Sequence, residues 1–413
     1  MRKNIFKGKN IFYLIGIRRY DGSHYKLPKF FAKEFGVISG DKLPEADINL
    51  GVCQGDTQTL YKEFIKRGIP YLLVENDIYS FRFGLDERTY AHDKEMIENA
   101  SAILFTSEGY VEYFKKLEKK YQWHIPEYMV VHNKPLKEDI TFVPKEKIEG
   151  LNLVVDGGFQ MWEKENDPYH YKAYQYIFSK FIEAGWAVHL YPTKFSDRNR
   201  RLDEYRNIGC IIHSWYPSEI LYQEMSQYTA GLQGFNSINT PESALAFAHK
   251  CRPNKIYDFL GAGIPTIGYN GGDGMEVYRD KWGIVIDDLE PETLKAIPER
   301  LKKIKITKKM RYENVLEKER DKFEYIIDVA LKEAGKKNRK SFAIDKNPFK
   351  IYKNPFERAF PIMVTVENKT PFIIDRLNRA FLPYSISEAF SVDKEDYRQI
   401  RAHINLRVRE IGG

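Results

Sequence analysis

Short apolar runs alternate with helical patterns in two successive series along this chain of 413 residues, and no other sequence feature constrains its fold as strongly. The first series lies between residues 11 and 131, and the second lies between residues 151 and 287. Each apolar run spans four to eight residues and is bounded by polar or turn residues, as buried strands usually are. Strands that alternate with helices predict a parallel sheet with helices on both faces. We therefore predict an α/β chain with two Rossmann-like, doubly wound domains.

The chain divides into three regions on this basis. Residues 1–148 form the predicted N-terminal domain, residues 149–335 form the C-terminal domain, and residues 336–413 form an extension with a different pattern. The extension carries 16 Lys and Arg against 9 Asp and Glu, whereas the rest of the chain has 49 of each. The net charge of +7 thus belongs to the extension, so a contact with a polyanion or an anionic membrane surface is expected there. Within the extension we predict a strand over residues 361–368 and a basic helix over residues 396–409.

The composition argues against several classes of protein. The three cysteines, Cys53, Cys210 and Cys251, are odd in number and widely spaced, unlike a disulfide framework or a Cys-x-x-Cys metal or redox site. The first apolar run, Ile11–Ile17, is followed at once by two arginines and is too short for a signal peptide or a membrane span. We therefore expect a cytoplasmic protein without a transmembrane segment.

One segment, Arg252–Asp287, combines groups that suit a nucleotide diphosphate. A Pro-Asn pair opens a short helix on which Lys255 and Asp258 lie one turn apart, and Gly263 ends this helix before a buried strand. The helix start offers N–H groups and a cation to phosphates, and the carboxylate suits ribose hydroxyls. The alternative interpretation is an ordinary βα unit in which Gly and Pro only mark the ends of the elements.

This segment resembles the donor-binding signature of GT-B glycosyltransferases of the family-4-like group, P-x-K-x-x-E-Y-L-A-x-G-x-P followed by a glycine-rich loop and an acidic residue. The matching residues are Lys255, Asp258, Gly263, Pro265 and Glu276. Many retaining members of that group carry a further Glu where this chain has Lys250, which leaves the stereochemical outcome open. The residues that the resemblance and the predicted phosphate loops assign to the donor are Arg18, Gly157, Gly158, Arg252, Asn254, Lys255, Asp258, Gly272 and Glu276.

Two predicted loops of the N-terminal domain carry candidate catalytic groups. Asp21 and His24 lie in the loop after the first strand, and Asp77 lies in the loop after the third strand. An inverting transferase needs a base beside the acceptor hydroxyl, and Asp77 occupies the position that the resemblance favours for it. In a retaining enzyme Asp77 would instead hold the acceptor. An Asx turn or a helix cap is an equally good explanation of this residue.

The resemblance implies a hexosyltransferase that uses a nucleotide-sugar, most simply a UDP-sugar, as a co-substrate without another cofactor. GT-B enzymes commonly stabilise the leaving diphosphate with protein groups, and this chain contains no Asp-x-Asp metal motif. The acceptor is left open between a glycan, a lipid-linked sugar and a nucleic acid. Two alternatives stay open as well: a nucleotide-sugar 2-epimerase, and a degenerate transferase body that binds a polyanion through its basic extension.

Overall fold

The computed structural model describes residues 6, 8–15, 23–55, 60–76, 78–162, 167–193 and 201–339, and five strands between residues 362 and 410. These residues fall into two compact units, one over Met1–Pro348 and one over Phe349–Gly413. The first unit contains two six-stranded parallel sheets, and the second unit contains a three-stranded antiparallel sheet and a two-stranded hairpin.

The first parallel sheet has the strand order β2-β1-β3-β4-β5-β6. Its strands are β1 Ile11–Leu14, β2 Ile38–Gly40, β3 Leu50–Gly55, β4 Tyr71–Glu75, β5 Ala102–Phe105 and β6 Tyr128–Val130. The helices that connect them are α1 Ser23–Phe35, α2 Tyr61–Lys66, α3 Tyr79–Phe83, α4 Glu87–Asn99 and α5 Glu108–Tyr121. After β1 the chain adds β2 on one side of this strand and then adds β3 to β6 on its other side, so the strand order reverses between β1 and β3.

The second parallel sheet has the order β12-β11-β10-β7-β8-β9, the strand order of the dinucleotide-binding fold. Its strands are β7 Asn152–Gly157, β8 Ala187–Pro192, β9 Ile211–Ile212, β10 Ala230–Gly234, β11 Thr266–Tyr269 and β12 Gly283–Ile286. Its helices are α6 Gln175–Glu183, α7 Arg201–Asn207, α8 Ser218–Met225, α9 Glu242–Lys250, α10 Asn254–Ala262, α11 Pro291–Leu301 and α12 Lys308–Glu313, with 3-10 turns at His170–Lys172 and Gly272–Val277. The order reverses between β7 and β10.

Alternation along β7 shows how helices cover both faces of the second sheet. Leu153 and Val155 belong to the apolar cluster that includes Phe178 of α6, whereas Val154 belongs to the cluster that includes Phe259 of α10. Successive side chains of a strand point to opposite faces, so a wholly apolar run needs cover on both. The prediction of doubly wound α/β sheets is confirmed by this arrangement.

The last helix of the first unit returns to the first sheet. After the 3-10 turn Leu316–Glu319, α13 spans Arg320–Arg339, and its Phe323 packs against Phe30 and Phe31 of α1. The ring centroids lie 4.7 Å and 5.4 Å apart, within the range of favourable aromatic pairs. The chain therefore ties its two sheets together through a helix that follows the second sheet in sequence and packs on the first.

The segment before α6 forms a 3-10 turn, because the main-chain carbonyls of Tyr171 and Lys172 accept hydrogen bonds from the N–H groups of Asn236 and Gln160. One predicted helix differs from the structure. The predicted basic helix over residues 396–409 is wrong where the structure describes it. Residues 406–410 form strand β17, which pairs with β13, Ile362–Asn368. Leu406 to Arg409 alternate apolar and basic residues, a period of two that suits a strand. The remaining strands of this unit are β14 Ile374–Arg376, β15 Arg379–Phe381 and β16 Phe390–Val392.

Candidate functional site

A cavity of about 390 Å³ lies where the carboxyl ends of both parallel sheets meet. Residues that follow β4, β5 and β6 line it on one side, and residues that follow β7, β8 and β10 line it on the other, together with the start of α10. In doubly wound sheets ligands bind outside the carboxyl ends of the strands, next to the point where the strand order reverses. The β7 end adjoins this point, so the cavity is the candidate site.

The start of α10 brings a cation to the cavity. Pro253 is extended, with φ −60° and ψ 136°, and the helix begins at Asn254 as the sequence predicts. Gly263 adopts φ +78° and ends the helix, a left-handed conformation that glycine accepts most readily. The Nζ of Lys255 lies 5.3 Å from the centre of the Tyr174 ring, and within the described part of the chain no carboxylate lies at ion-pair distance from it. Lys255 is thus a cation that an anionic ligand can pair with.

Asp258 is engaged by residues that sequence analysis did not identify. Its Oδ1 accepts hydrogen bonds from the Nζ of Lys26 at 2.5 Å and from the hydroxyl of Tyr222 at 2.6 Å. Lys26 lies in α1 and is 1% exposed, while Asp258 is 6% exposed. The predicted ribose-binding carboxylate therefore forms a buried ion pair between elements of the two sheets. Because both hydrogen bonds go to Oδ1, only the other carboxylate oxygen of Asp258, Oδ2, is left to contact a ligand.

Asp156 and Gly157 are the last two residues of β7, Gly158 follows them, and all three line the cavity. Gly157 has φ +117°, a conformation that side chains rarely adopt, and open space surrounds both glycines. Burial and the nearby charge of Asp258 raise the pKa of Asp156 to about 6, although Lys255 and Lys26 oppose this rise. Its Oδ1 is buried and has no hydrogen-bond partner among the described residues. The glycines allow a ligand to approach the main chain beside a carboxyl group that is easily protonated.

Arg252 belongs to a polar cluster that joins the two domains beside the cavity. Its guanidinium lies 3.0 Å from Glu108 of α5, and Glu108 also accepts a hydrogen bond from His132 at 3.1 Å. The hydrogen bond from His132, together with the charges of His132 and Arg252, lowers the pKa of Glu108 to about 2. The hydroxyl of Tyr257 in α10 lies 3.0 Å from Nδ1 of His132. Arg252 thus already has a carboxylate partner before any ligand binds.

Two residues that the resemblance assigns to the donor lie outside the cavity. The Glu276 side chain is 68% exposed and pairs with Arg279 at 2.9 Å. Gly272 has φ +61° and lies against the main chain of His249, which a Cβ atom would approach to 2.3 Å. Neither residue lines the cavity. Gly272 is therefore explained by a tight turn.

Lys250, which stands where many retaining enzymes have Glu, also points away from this site. Its Nζ pairs with Asp273 at 2.8 Å and with Glu112 at 3.2 Å, and its carbonyl accepts a hydrogen bond from Ser107. The residue is a contact between α9, α5 and the loop after β11.

Four predicted residues are not placed. Arg18, Asp21 and Asp77 lie outside the described residues, and His24 lies in α1, where its backbone is described and its side chain is not. Their roles in catalysis or donor binding stay predictions. The donor-side residues Gly157, Gly158, Arg252, Asn254, Lys255 and Asp258 all line the cavity.

The first sheet contributes cavity residues that sequence analysis missed. Asn76, Thr106 and Asn133 follow three neighbouring strands, and Arg82 of α3 packs its guanidinium 4.3 Å from the centre of the Phe247 ring. The signal that could have identified the three polar residues is their position, since each comes soon after the carboxyl end of a strand. Arg82 has no comparable local signal.

The two doubly wound sheets and the returning helix α13 give this chain the GT-B architecture that the resemblance implies. No protein-family model and no curated protein sequence matches the chain. Among solved structures it is similar to Alr3699/HepE of Anabaena, solved with UDP and glucose, with 11% identity over 74% of this chain and 94% of the other and a TM-score of 0.49.

Two further solved structures show a similar degree of likeness. A UDP-forming α,α-trehalose-phosphate synthase from Burkholderia xenovorans matches with 8% identity, coverage of 70% and 74%, and a TM-score of 0.47. A sucrose-phosphate synthase from Thermosynechococcus elongatus matches with 12% identity, coverage of 76% of each chain, and a TM-score of 0.43. Because all three TM-scores lie below 0.5, the fold assignment rests on the topology of the two sheets.

Among the helices described between residues 23 and 339, none has the length and apolarity that crossing a lipid bilayer requires. Cys53, Cys210 and Cys251 are not joined by disulfide bonds.

Proposed function

We propose that this protein is a glycosyltransferase that moves a sugar from a nucleotide-diphosphate sugar, in the first instance a UDP-sugar, to an acceptor hydroxyl. The observation that carries this proposal is Lys255, a cation with no carboxylate partner in the described structure, at the start of α10 and beside the Gly157-Gly158 loop. A helix N-terminus, a cation and accessible main chain together suit a diphosphate.

The charges around the cavity favour an anionic ligand. Lys26, Arg82, Lys172, Arg252 and Lys255 line it, against the carboxyl groups of Asp156 and Asp258. Lys26 neutralises Asp258, and Arg252 is neutralised by Glu108 outside the cavity lining. Lys255 is left without a carboxylate at ion-pair distance in the described part of the chain. This lysine supports a reaction in which protein groups, without a bound metal, stabilise the diphosphate as it leaves.

A thermal-shift titration tests the donor site directly. The protein is titrated with UDP, GDP, ADP, dTDP and CMP, and with UDP-glucose. A ligand that binds only the folded state raises the unfolding temperature by mass action. We expect one nucleoside diphosphate to stabilise the wild type and to stabilise Lys255→Ala much less. Lys250→Ala is the matched control, because this lysine lies at the end of the preceding helix and pairs with carboxylates outside the cavity.

Product analysis then separates the reaction classes. A transferase releases nucleoside diphosphate and a new glycoside only with an acceptor, apart from slow donor hydrolysis. A 2-epimerase changes the donor sugar without an acceptor. If no nucleotide stabilises the folded wild type, the proposed function is wrong.

A further inference from the structure

Three uncharged polar side chains form a row along the carboxyl edge of the first sheet. Asn76 follows β4, Thr106 follows β5 and Asn133 comes soon after β6, and all three line the cavity. The three strands are neighbours in one parallel sheet. Adjacent strands lie about 4.8 Å apart, so the outer two strands of this row are about 10 Å apart. That distance accommodates a sugar ring between side chains that reach inward from both ends.

Asn133 carries the strongest indication that this row binds something. The residue is 4% exposed, its Oδ1 is buried, and its side chain makes no hydrogen bond to any residue that the structure describes. A buried amide without partners destabilises a fold, so such groups are rare unless a ligand or water completes them. Asn152 behaves differently: its side chain donates to two carbonyls and bonds to His189.

Asn76 repeats this situation at the other end of the row. The Nδ2 of Asn76 is buried and lacks a hydrogen-bond partner among the described residues, although the main-chain carbonyl of Asn76 accepts a hydrogen bond from the hydroxyl of Tyr110. Thr106, between the two amides, donates its hydroxyl hydrogen to the carbonyl of Glu75 and keeps an oxygen that can accept another. The row therefore offers amide donors, amide acceptors and a hydroxyl acceptor to one ligand.

The charged side chains that the structure describes beside the row are already paired. Lys134, next to Asn133, pairs with Glu319, and His132 bonds to Glu108. Lys26 is held by Asp258. A phosphate placed on the row would thus find amides rather than unpaired cations, whereas hydroxyl groups are both donors and acceptors and match amides at each end. This distinguishes the row from the Lys255 side of the cavity.

An apolar surface adjoins the row. Tyr110 and Phe247 line the cavity, and their rings stack with centroids 5.6 Å apart. Such rings pack against the C–H faces of a sugar while the amides bond its hydroxyls.

We propose that Asn76, Thr106 and Asn133 form the acceptor subsite and that the acceptor group bound there is a neutral carbohydrate. This inference rests on the proposed function for the transfer itself. In that step the acceptor oxygen bonds to the anomeric carbon, and the bond from that carbon to the diphosphate oxygen breaks. The diphosphate leaves with the electron pair, and the hydroxyl proton passes to it and then equilibrates with solvent.

Binding without donor provides the first test. Saturation-transfer NMR on the full-length protein compares glucose and N-acetylglucosamine with their 6-phosphates, a single-stranded DNA oligonucleotide and anionic phospholipid vesicles. We expect signals from the neutral sugars that disappear in Asn133→Leu and weaken in Asn76→Leu. Preferential binding of the phosphorylated sugars, the DNA or the vesicles at this site would overturn the proposal, as would neutral-sugar signals that survive in both variants.

The unfolding temperature provides a second test, because replacing an amide that only stabilises the fold would lower this temperature, whereas replacing an amide that waits for a ligand would not. Leu is close to Asn in size, so Asn133→Leu removes an unpaired amide and is expected to keep or raise the unfolding temperature. Asn152→Leu, the matched control, removes satisfied hydrogen bonds and is expected to lower it. A fall in Asn133→Leu as large as in Asn152→Leu would contradict the acceptor role.

Turnover with UDP-glucose separates this inference from the proposed function. We expect Asn133→Leu to keep the UDP thermal shift of the wild type and to lower kcat/KM for the neutral acceptor at least fivefold. An unchanged kcat/KM would refute the subsite while leaving the transferase intact. If the wild type shows no UDP shift and no turnover, the proposed function fails, and the NMR comparison still decides whether the row binds neutral sugars.

Discussion

Asp156 should couple donor binding to proton uptake. Its pKa is about 6 in the free protein because burial and the nearby Asp258 disfavour its charge. A diphosphate bound beside Gly157 and Lys255 would add negative charge to the same cavity. At about 8 Å and an effective dielectric constant of about 20, each added charge repels the carboxylate by about 2 kcal/mol. The donor should therefore bind more tightly when Asp156 is protonated.

The size of the effect follows from the pKa rise. After screening and the attraction of Lys255, we take a rise of about one pKa unit on binding, which corresponds to about 1.4 kcal/mol. With values of about 6 in the free state and about 7 in the complex, the donor dissociation constant should rise about eightfold from pH 5 to pH 8. The shift is upward, so affinity is greatest below pH 6 and is lost as the pH rises through the pKa of the complex.

Isothermal titration with UDP-glucose from pH 5 to pH 8 tests this coupling, because the diphosphate diester of UDP-glucose does not titrate in this range, unlike free UDP. Asp156→Asn keeps the shape of the side chain and removes its charge. We expect this variant to bind with little pH dependence and about tenfold more tightly than the wild type at pH 8. A wild-type affinity that is constant with pH would refute the reasoning. Weaker binding by Asp156→Asn at every pH would show instead that the carboxylate holds a donor hydroxyl.

Three further expectations concern other parts of the first unit. Lys26→Met or Asp258→Leu alone should lower the free energy of unfolding by about 3–5 kcal/mol, because each change leaves a buried charge unpaired, and the double variant should recover most of the lost stability. Urea denaturation measures these free energies, and losses that add up in the double variant would contradict the expectation. Burial lowers the pKa of His213, and burial together with the nearby His213 lowers the pKa of His189 to about 4. Because the unfolded state therefore binds protons first as the pH falls, the free energy of unfolding should decrease from about pH 6.5 towards pH 4. A His189→Gln variant whose thermal unfolding keeps the full pH slope would argue against this explanation. Glu276→Ala should leave the UDP-glucose dissociation constant within about twofold, since this exposed side chain lies outside the cavity, and a loss above tenfold would place it in the donor site.

Much of the candidate donor site could be predicted from local sequence. The Pro-Asn start and the Gly263 end of α10 are visible in the sequence because capping depends on a few neighbouring residues. Likewise, Asp156-Gly157-Gly158 ends an apolar run that any parallel sheet would bury. These local features place Lys255 at a helix start, where an anion is favoured, and the structure shows that this start faces the cavity.

The partners of those residues could not be predicted in the same way. Lys26 lies 232 residues before Asp258, and nothing in a short window links them. The exposure of Glu276 depends on the direction of the 3-10 turn after β11. The sequence of this turn has no periodic pattern from which that direction could be predicted. The strand at residues 406–410 differs from the predicted helix because the alternation of Leu406 to Arg409 is too short to decide the structure until its partner strand β13 is known.

The alternation of strands and helices, the two doubly wound sheets and the limits of α10 can be read from local sequence, because they depend on periodicity and on the conformational preferences of Gly and Pro. Which side chains meet at the carboxyl ends of the sheets depends instead on the folded chain. There Lys26 pairs with Asp258, and among the described residues Lys255 has no carboxylate partner and the buried side-chain amide of Asn133 has no hydrogen-bond partner. Those outcomes depend on the packing of segments far apart in the chain, and the free energy of a buried charge or amide is set by neighbours that local sequence does not specify.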